Sequence, residues 1–75
     1  MKELIEYIAK SLVDSPDQVK IRQIEGEQAI ILELRVAPDD MGKVIGRQGR
    51  VAKSMRTLLK VAAAREGKRT ILEII

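Results

Sequence analysis

Two glycines separated by two polar residues, Gly46-Arg47-Gln48-Gly49, form the segment of this sequence most suited to chemistry. Glycine at both positions allows a sharp turn of exposed backbone and lets another chain approach closely. Lys43, Arg47 and Arg50 flank the turn, and their side chains are long enough to reach a phosphodiester. Unpaired N–H groups and the dipole at the start of a following helix would also favour a phosphate. The segment therefore predicts a site for a polyanion.

Other glycine motifs and catalytic groups fit the sequence poorly. A Walker loop requires serine or threonine after its glycine and lysine, whereas Gly42-Lys43 is followed by Val44. A dinucleotide-binding loop follows a strand, but the residues before Gly46 are predicted to be helical. The chain has no histidine or cysteine, and a helix start explains the acidic pair Asp39-Asp40. We therefore expect no enzymatic activity, no metal and no cofactor.

Charge is distributed unevenly along the 75 residues, although the net value is only +3. Residues 41–70 contain nine basic residues and one acidic residue, a net charge of +8. The rest of the chain contains five basic and ten acidic residues, a net charge of −5. This asymmetry indicates that one part of the molecule binds a polyanion such as a nucleic acid.

Hydrophobic periodicity predicts three helices and three strands. Pro16 ends the first helix, Gly26 is expected to supply a positive φ in a tight hairpin, and Gly67 is expected to cap the longest helix. The predicted elements are a helix over residues 4–13, strands over 19–24 and 30–36, a short helix over 38–45, a long helix over 50–65 and a strand over 70–75.

Apolar positions within these elements predict how they pack. In the second strand, Ile30, Leu32, Leu34 and Val36 alternate with Ile31, Glu33 and Arg35. The long helix has an apolar stripe predicted to contain Val51, Met55, Leu58, Leu59 and Ala62. The predicted fold class is α+β, in the order α-β-β-α-α-β, with a three-stranded mixed sheet and helices packed on one face.

The ten residues 41–50, Met-Gly-Lys-Val-Ile-Gly-Arg-Gln-Gly-Arg, closely resemble the signature of KH domains. In that family a hydrophobic pair precedes a glycine-x-x-glycine (GxxG) loop between two helices. The helix and strand before this core resemble the type II, or prokaryotic, arrangement. The resemblance extends over nearly the whole chain, as in small stand-alone bacterial KH proteins, and implies a single KH domain over residues 1–75.

The resemblance implies an RNA-binding protein that clamps about four nucleotides of single-stranded RNA, and a role as an RNA chaperone or post-transcriptional regulator. By position, Gly46, Arg47, Gln48 and Gly49 would hold the sugar-phosphate backbone. Lys43, Arg50 and Lys53 would supply charge. Val44, Ile45 and one face of the second strand would form the groove floor. Tyr7 is the only aromatic residue, so bases would rest on aliphatic side chains and binding would be weak and tolerant of sequence.

Alternatives from other classes remain open. A 75-residue core without disulfides or metals has reason to self-associate, and the isoleucine-rich last strand is a candidate for an exposed edge. The resemblance also implies a homodimer, or a heterodimer with a larger KH-containing RNA-binding protein. Single-stranded DNA is a third candidate partner. We expect no small-molecule substrate and no membrane partner, since no apolar run approaches the roughly 20 residues of a membrane span. The lack of an export signal and of cysteine predicts a cytoplasmic location.

Overall fold

The computed structural model describes residues 1–75 and has the predicted order of elements. The helices are α1 (Lys2–Leu12), α2 (Met41–Ile45) and α3 (Arg50–Ala64), and the strands are β1 (Lys20–Glu25), β2 (Ala29–Arg35) and β3 (Arg69–Ile74). Single 3-10 turns lie at Pro16–Gln18, Pro38–Asp40 and Arg47–Gly49. The predicted α+β class is confirmed. None of the helices is long and apolar enough to span a membrane.

The three strands form one mixed sheet in the order β1-β2-β3. Strand β2 is central, antiparallel to β1 and parallel to β3. Antiparallel neighbours need only a short hairpin, whereas the parallel pair needs a long crossover, which α2 and α3 provide. Strands β1 and β3 are therefore the two edges of the sheet.

The core lies between the sheet and the helices that cover one of its faces. Alternate residues of β2 point into it, as predicted, and Ile30, Leu32 and Leu34 have no exposed surface. Opposite them lie Ile5 and Ala9 of α1, Val44 of α2, and Met55 and Leu59 of α3. Aliphatic packing across this single interface holds the sheet and helices together.

The hairpin between β1 and β2 differs from the prediction. The register places Glu25 opposite Ile30, and the N–H of Gly26 donates to the carbonyl of Ala29 at 2.8 Å, so the tip of the hairpin is Glu27-Gln28. Gly26 does not have a positive φ, so that part of the prediction was wrong. Gly26 lies in the last residue pair before the tip and not at the tip itself, which is where tight hairpin turns have their positive φ.

Gly67 caps α3 as predicted. Its φ is +69°, its N–H donates to the carbonyl of Ala64, and the next N–H, of Lys68, donates to the carbonyl of Ala63. This pair of hydrogen bonds is a Schellman motif, which satisfies carbonyls at the helix end and turns the chain towards β3.

The buried face of α3 is rotated from the predicted stripe. Ala52, Met55, Leu59 and Ala63 are buried, whereas Leu58 is 46% exposed and Val61 is 59% exposed. Small alanine side chains let the helix approach the sheet closely, so the buried face follows the alanines. The larger aliphatic residues on the adjacent face are left at the surface.

Candidate nucleic-acid interface

Helix α2 is only five residues long, and a buried carboxylate fixes its start. Asp40, 2% exposed, is the only buried polar or charged residue in the protein. Its two oxygens accept hydrogen bonds from the backbone N–H groups of Asp14 and Ser15, each at 3.1 Å. These bonds lower the pKa of Asp40, the largest contribution coming from the N–H of Asp14, against the opposing effect of burial. The start of α2 is thereby tied to the segment that follows α1.

Lys43 completes the same cluster. Its ammonium pairs with the carboxylate of Asp14 and lies 3.4 Å from the carboxylate of Asp40. Hydrogen bonding to Asp14 is the main cause of a raised pKa for Lys43. Two carboxylates therefore offset the charge that was expected to attract a ligand, and the structure gives Lys43 a role in holding α2 in place.

Val44 and Ile45, predicted to line a groove together, point in different directions. Val44 has no exposed surface and packs in the core, because consecutive helix residues are about 100° apart around the axis. Ile45 is 37% exposed beside the loop. Only Ile45 offers apolar surface to a ligand, while Val44 anchors α2 to the sheet.

The loop itself has a backbone that depends on glycine. Gly46 has φ 79° and ψ 172°, a region that is essentially restricted to glycine. A Cβ at Gly46 would lie 2.9 Å from the backbone nitrogen of Val51, so the loop also passes too close to α3 for a side chain. Gly49 has φ 74° and ψ 15°, the left-handed helical region, but open space surrounds it. At Gly46 a side chain would neither fit nor adopt the backbone angles. At Gly49 there is room for a side chain, and only the backbone angles favour glycine.

Helix α3 begins at this loop without a side-chain cap. Its first N–H, that of Arg50, donates to the carbonyl of Arg47, and no side chain caps the N–H groups that follow. Arg47, Gln48 and Arg50 are exposed around this end, and the guanidinium of Arg50 lies 3.4 Å from the side-chain oxygen of Gln48. No carboxylate lies within 4 Å of the cationic groups of Arg47, Arg50 or Lys53. The helix end is both rich in donors and positively charged.

The strand at the sheet edge beside α3 is β3, whereas the second strand, one face of which was predicted to form the groove floor, is the central strand. Strand β2 is paired on both edges, and its inner face is buried beneath the helices. The N–H groups of Arg69 and Ile75 donate to carbonyls on the β2 side of the sheet. Because peptide groups alternate along a strand, the N–H and C=O groups of the intervening even-numbered residues face outwards. These residues are Thr70, Leu72 and Ile74.

Arg56 joins α3 to this open edge. Its guanidinium donates to the carbonyl of Leu72 at 3.2 Å. Arg56 was not among the predicted site residues, although its position three residues after Lys53 places it on the same side of the helix. The sequence signal was present, but only the contact with β3 shows which side of α3 faces the edge strand.

A family model described as KhpA/KhpB, KH domain, matches residues 2–74. The chain belongs to the KhpA/KhpB KH-domain family. The RNA-binding protein KhpA of Clostridium acetobutylicum is 64% identical over 75 residues, which cover all of both chains. The RNA-binding protein KhpA of Aquifex aeolicus is 48% identical over 75 residues, covering 100% of this chain and 95% of that protein.

A solved structure supports the fold. Aquifex aeolicus Era superposes with a TM-score of 0.68 over 97% of this chain and 28% of Era, at 18% sequence identity. At this identity the similarity concerns the fold alone. The predicted type II KH fold and the resemblance to small bacterial KH proteins are both confirmed.

The two loop glycines should differ in their tolerance of alanine. Gly46→Ala combines a glycine-only conformation with a steric clash and should lower the free energy of unfolding by about 3 kcal/mol. Gly49→Ala adds only left-handed strain and should cost about 1 kcal/mol. Chemical denaturation of both variants checks this, and equal losses would contradict the asymmetry.

The Asp40 cluster should make stability depend on acid pH. Because the pKa of Asp40 is lowered on folding, its contribution is present above the ordinary value of 3.8 and is lost as the pH falls through the folded value. Thermal melts of the wild type and Asp40→Asn should differ most near pH 7 and converge below about pH 4. A difference in melting temperature that does not change with pH would show that the carboxylate charge is not responsible.

Proposed function

We propose that this protein binds single-stranded RNA through the loop between α2 and α3. The observation that carries the proposal is the uncapped, glycine-cornered start of α3, surrounded by the unpaired cations Arg47, Arg50 and Lys53. The name RNA-binding protein KhpA, borne by relatives that match this chain from end to end, supports it.

In this proposal the backbone of residues 46–49 approaches the sugar-phosphate chain. Phosphate oxygens accept hydrogen bonds from N–H groups at the start of α3 that no side chain caps, and the helix dipole there also favours an anion. The guanidinium groups of Arg47 and Arg50 add charge-assisted hydrogen bonds, and Lys53 adds charge one turn further along. Four nucleotides are the usual length of RNA held by such a loop.

The nine predicted site residues divide into two groups by role. Two of them, Lys43 and Val44, are proposed to hold α2 in position without contacting RNA, because Lys43 is ion-paired and Val44 is buried. Seven are proposed to contact RNA: Ile45, Gly46, Arg47, Gln48, Gly49, Arg50 and Lys53.

Bases are proposed to rest against Ile45 and the open edge of β3. The only aromatic residue, Tyr7, lies on α1, so stacking on an aromatic platform makes no contribution at the loop. Stacking of this kind adds about 1–3 kcal/mol per base where it occurs. Weak binding that tolerates many sequences suits an RNA chaperone or a post-transcriptional regulator acting on cytoplasmic RNA.

Charge reversal in the loop should abolish RNA binding. Arg47→Asp combined with Gln48→Asp places two anions where the phosphate would lie, and aspartate tolerates the φ of 58° at position 48. Fluorescence anisotropy with a short single-stranded RNA should show no binding by the folded variant. For the wild type, the plot of log affinity against log salt should have a slope of roughly −2 for three phosphate contacts.

A matched control is available in β1. Arg22 and Gln23 are also an adjacent, exposed arginine and glutamine, and replacing both with glutamate produces the same change in net charge. This control should retain binding, and melting curves should show that both variants are folded. Undiminished binding by the loop variant would disprove the proposed function. Matched RNA and DNA oligonucleotides in competition distinguish RNA from the alternative ligand, single-stranded DNA.

A second candidate function, self-association, is favoured by the exposed aliphatic face of α3. Val51, Ser54, Leu58, Val61 and Arg65 follow one another at intervals of three and four residues, the spacing by which helices pack against each other. Leu4 and Leu12 of α1, each 40% exposed, extend this face. We propose that it packs against the same face of a second copy, or of the KH domain of a larger partner.

This surface differs from the last strand, which the sequence had suggested. Ile71 is 48% exposed on the uncovered face of the sheet, where charged neighbours such as Glu73 interrupt the apolar surface. On the α3 face, Leu4 lies beside Leu58 and Val61, and Leu12 lies beside Leu58. Pairing of two copies would raise the apparent affinity for RNA, because two weak sites would act on one strand.

Val61→Asp should shift the protein towards the monomer, because a charge would be buried between the two helices. Light scattering over a concentration series measures this shift. Ile71→Asp is the control on the sheet face and should leave the oligomeric state unchanged. A wild-type protein that is monomeric at every concentration, or equal effects of the two variants, would contradict the α3 interface.

A further inference from the structure

Three cations form a stripe along one flank of α3, beyond the GxxG loop. Lys53, Arg56 and Lys60 are spaced by three and four residues, so they lie on the same side of the helix. None has a carboxylate within 4 Å, and the fifteen residues of α3 include no acidic residue. The stripe therefore lacks compensating charge within its own helix.

Such a stripe works against folding. Like charges at these spacings on a helix repel each other and destabilise it. The chain has eleven acidic residues, yet the ion pairs formed by acids are at Lys10, Arg22, Lys43, Lys68 and the N-terminus. An anion from outside the chain would remove the repulsion.

The contact of Arg56 with β3 fixes the direction in which the stripe faces. Because its guanidinium donates to the carbonyl of Leu72, this flank of α3 borders the open edge of the sheet. The exposed aliphatic residues Leu58 and Val61 lie on a different side of the helix. The stripe begins one turn after Arg50 and extends about 10 Å along the axis from Lys53 to Lys60.

We propose that bound RNA continues past the GxxG loop along this flank, so that the binding site accepts more than four nucleotides. Lys60 holds a phosphate that the loop cannot reach, Lys53 bridges the loop and the stripe, and Arg56 stays tethered to the strand edge. This inference rests on the proposed function. Single-stranded RNA is favoured over an acidic protein because the stripe continues directly from the cations of the loop.

Binding measured as a function of RNA length tests the inference. Wild-type protein is titrated with oligouridylates of four and ten nucleotides over a range of salt concentrations. Its log–log salt slope should be steeper for the ten-mer, by about 0.7 for each additional phosphate contact. Lys60→Gln should remove about 0.7 from the slope measured with the ten-mer. Its melting temperature should equal or exceed that of the wild type, because repulsion from Arg56 is relieved.

Lys10→Gln provides the control, because Lys10 is also an exposed helical lysine but lies on α1, paired with Glu6. It should leave the ten-mer slope unchanged. Equal slopes for the two oligonucleotides with wild-type protein would overturn the longer site while leaving the loop site intact. An unchanged ten-mer slope in Lys60→Gln would overturn it too and would favour an acidic protein as the partner of the stripe. Failure of wild-type protein to bind either oligonucleotide would refute the proposed function itself.

Discussion

The geometry of the candidate site depends on the hydrogen bonds that the carboxylate of Asp40 accepts. It is the only polar side chain in an otherwise aliphatic core, and it is satisfied by two backbone N–H groups and the ammonium of Lys43. A buried carboxylate is tolerated only where such partners are present. The requirement to satisfy it holds the segment after α1 against the start of α2. Helix α2 is too short to hold its own position by helical hydrogen bonds alone, so this attachment sets where the loop begins.

From that point the backbone, more than any side chain, determines the shape of the loop. Gly46 occupies a conformation that other residues avoid and lies against Val51, and Gln48 and Gly49 both have positive φ. The turn is over within four residues, and no side chain caps the start of α3. No acidic residue pairs with the cations at this end of the helix, while Asp14 pairs with Lys43 and Asp40 accepts hydrogen bonds from backbone donors.

Helix α3 has three sides with different surroundings. One side, rich in alanine, packs on the sheet; a second carries exposed Leu58 and Val61; and a third carries the basic stripe beside β3. A small domain buries a limited fraction of its surface and has little stability in reserve. In this chain of 75 residues, one helix therefore contributes to the core and carries both the proposed association surface and the proposed RNA path. Association on one side leaves the proposed RNA path on the other side open.

The order of elements, the alternation of β2, the GxxG loop and the concentration of positive charge were all predictable from the sequence. These features depend on local periodicity, on glycine and proline, and on composition, which are readable along the chain. Only the tertiary structure showed that Lys43 is ion-paired with Asp14, 29 residues away, and that Val44 points into the core. The buried side of α3, the edge position of β3 and the place of Gly26 beside the hairpin tip were likewise decided by how the elements pair and pack. Periodicity shows that a helix or strand has an apolar face, but contacts between residues distant in sequence decide which side chains that face buries. The role of a charged or apolar side chain near the site therefore depends on the fold.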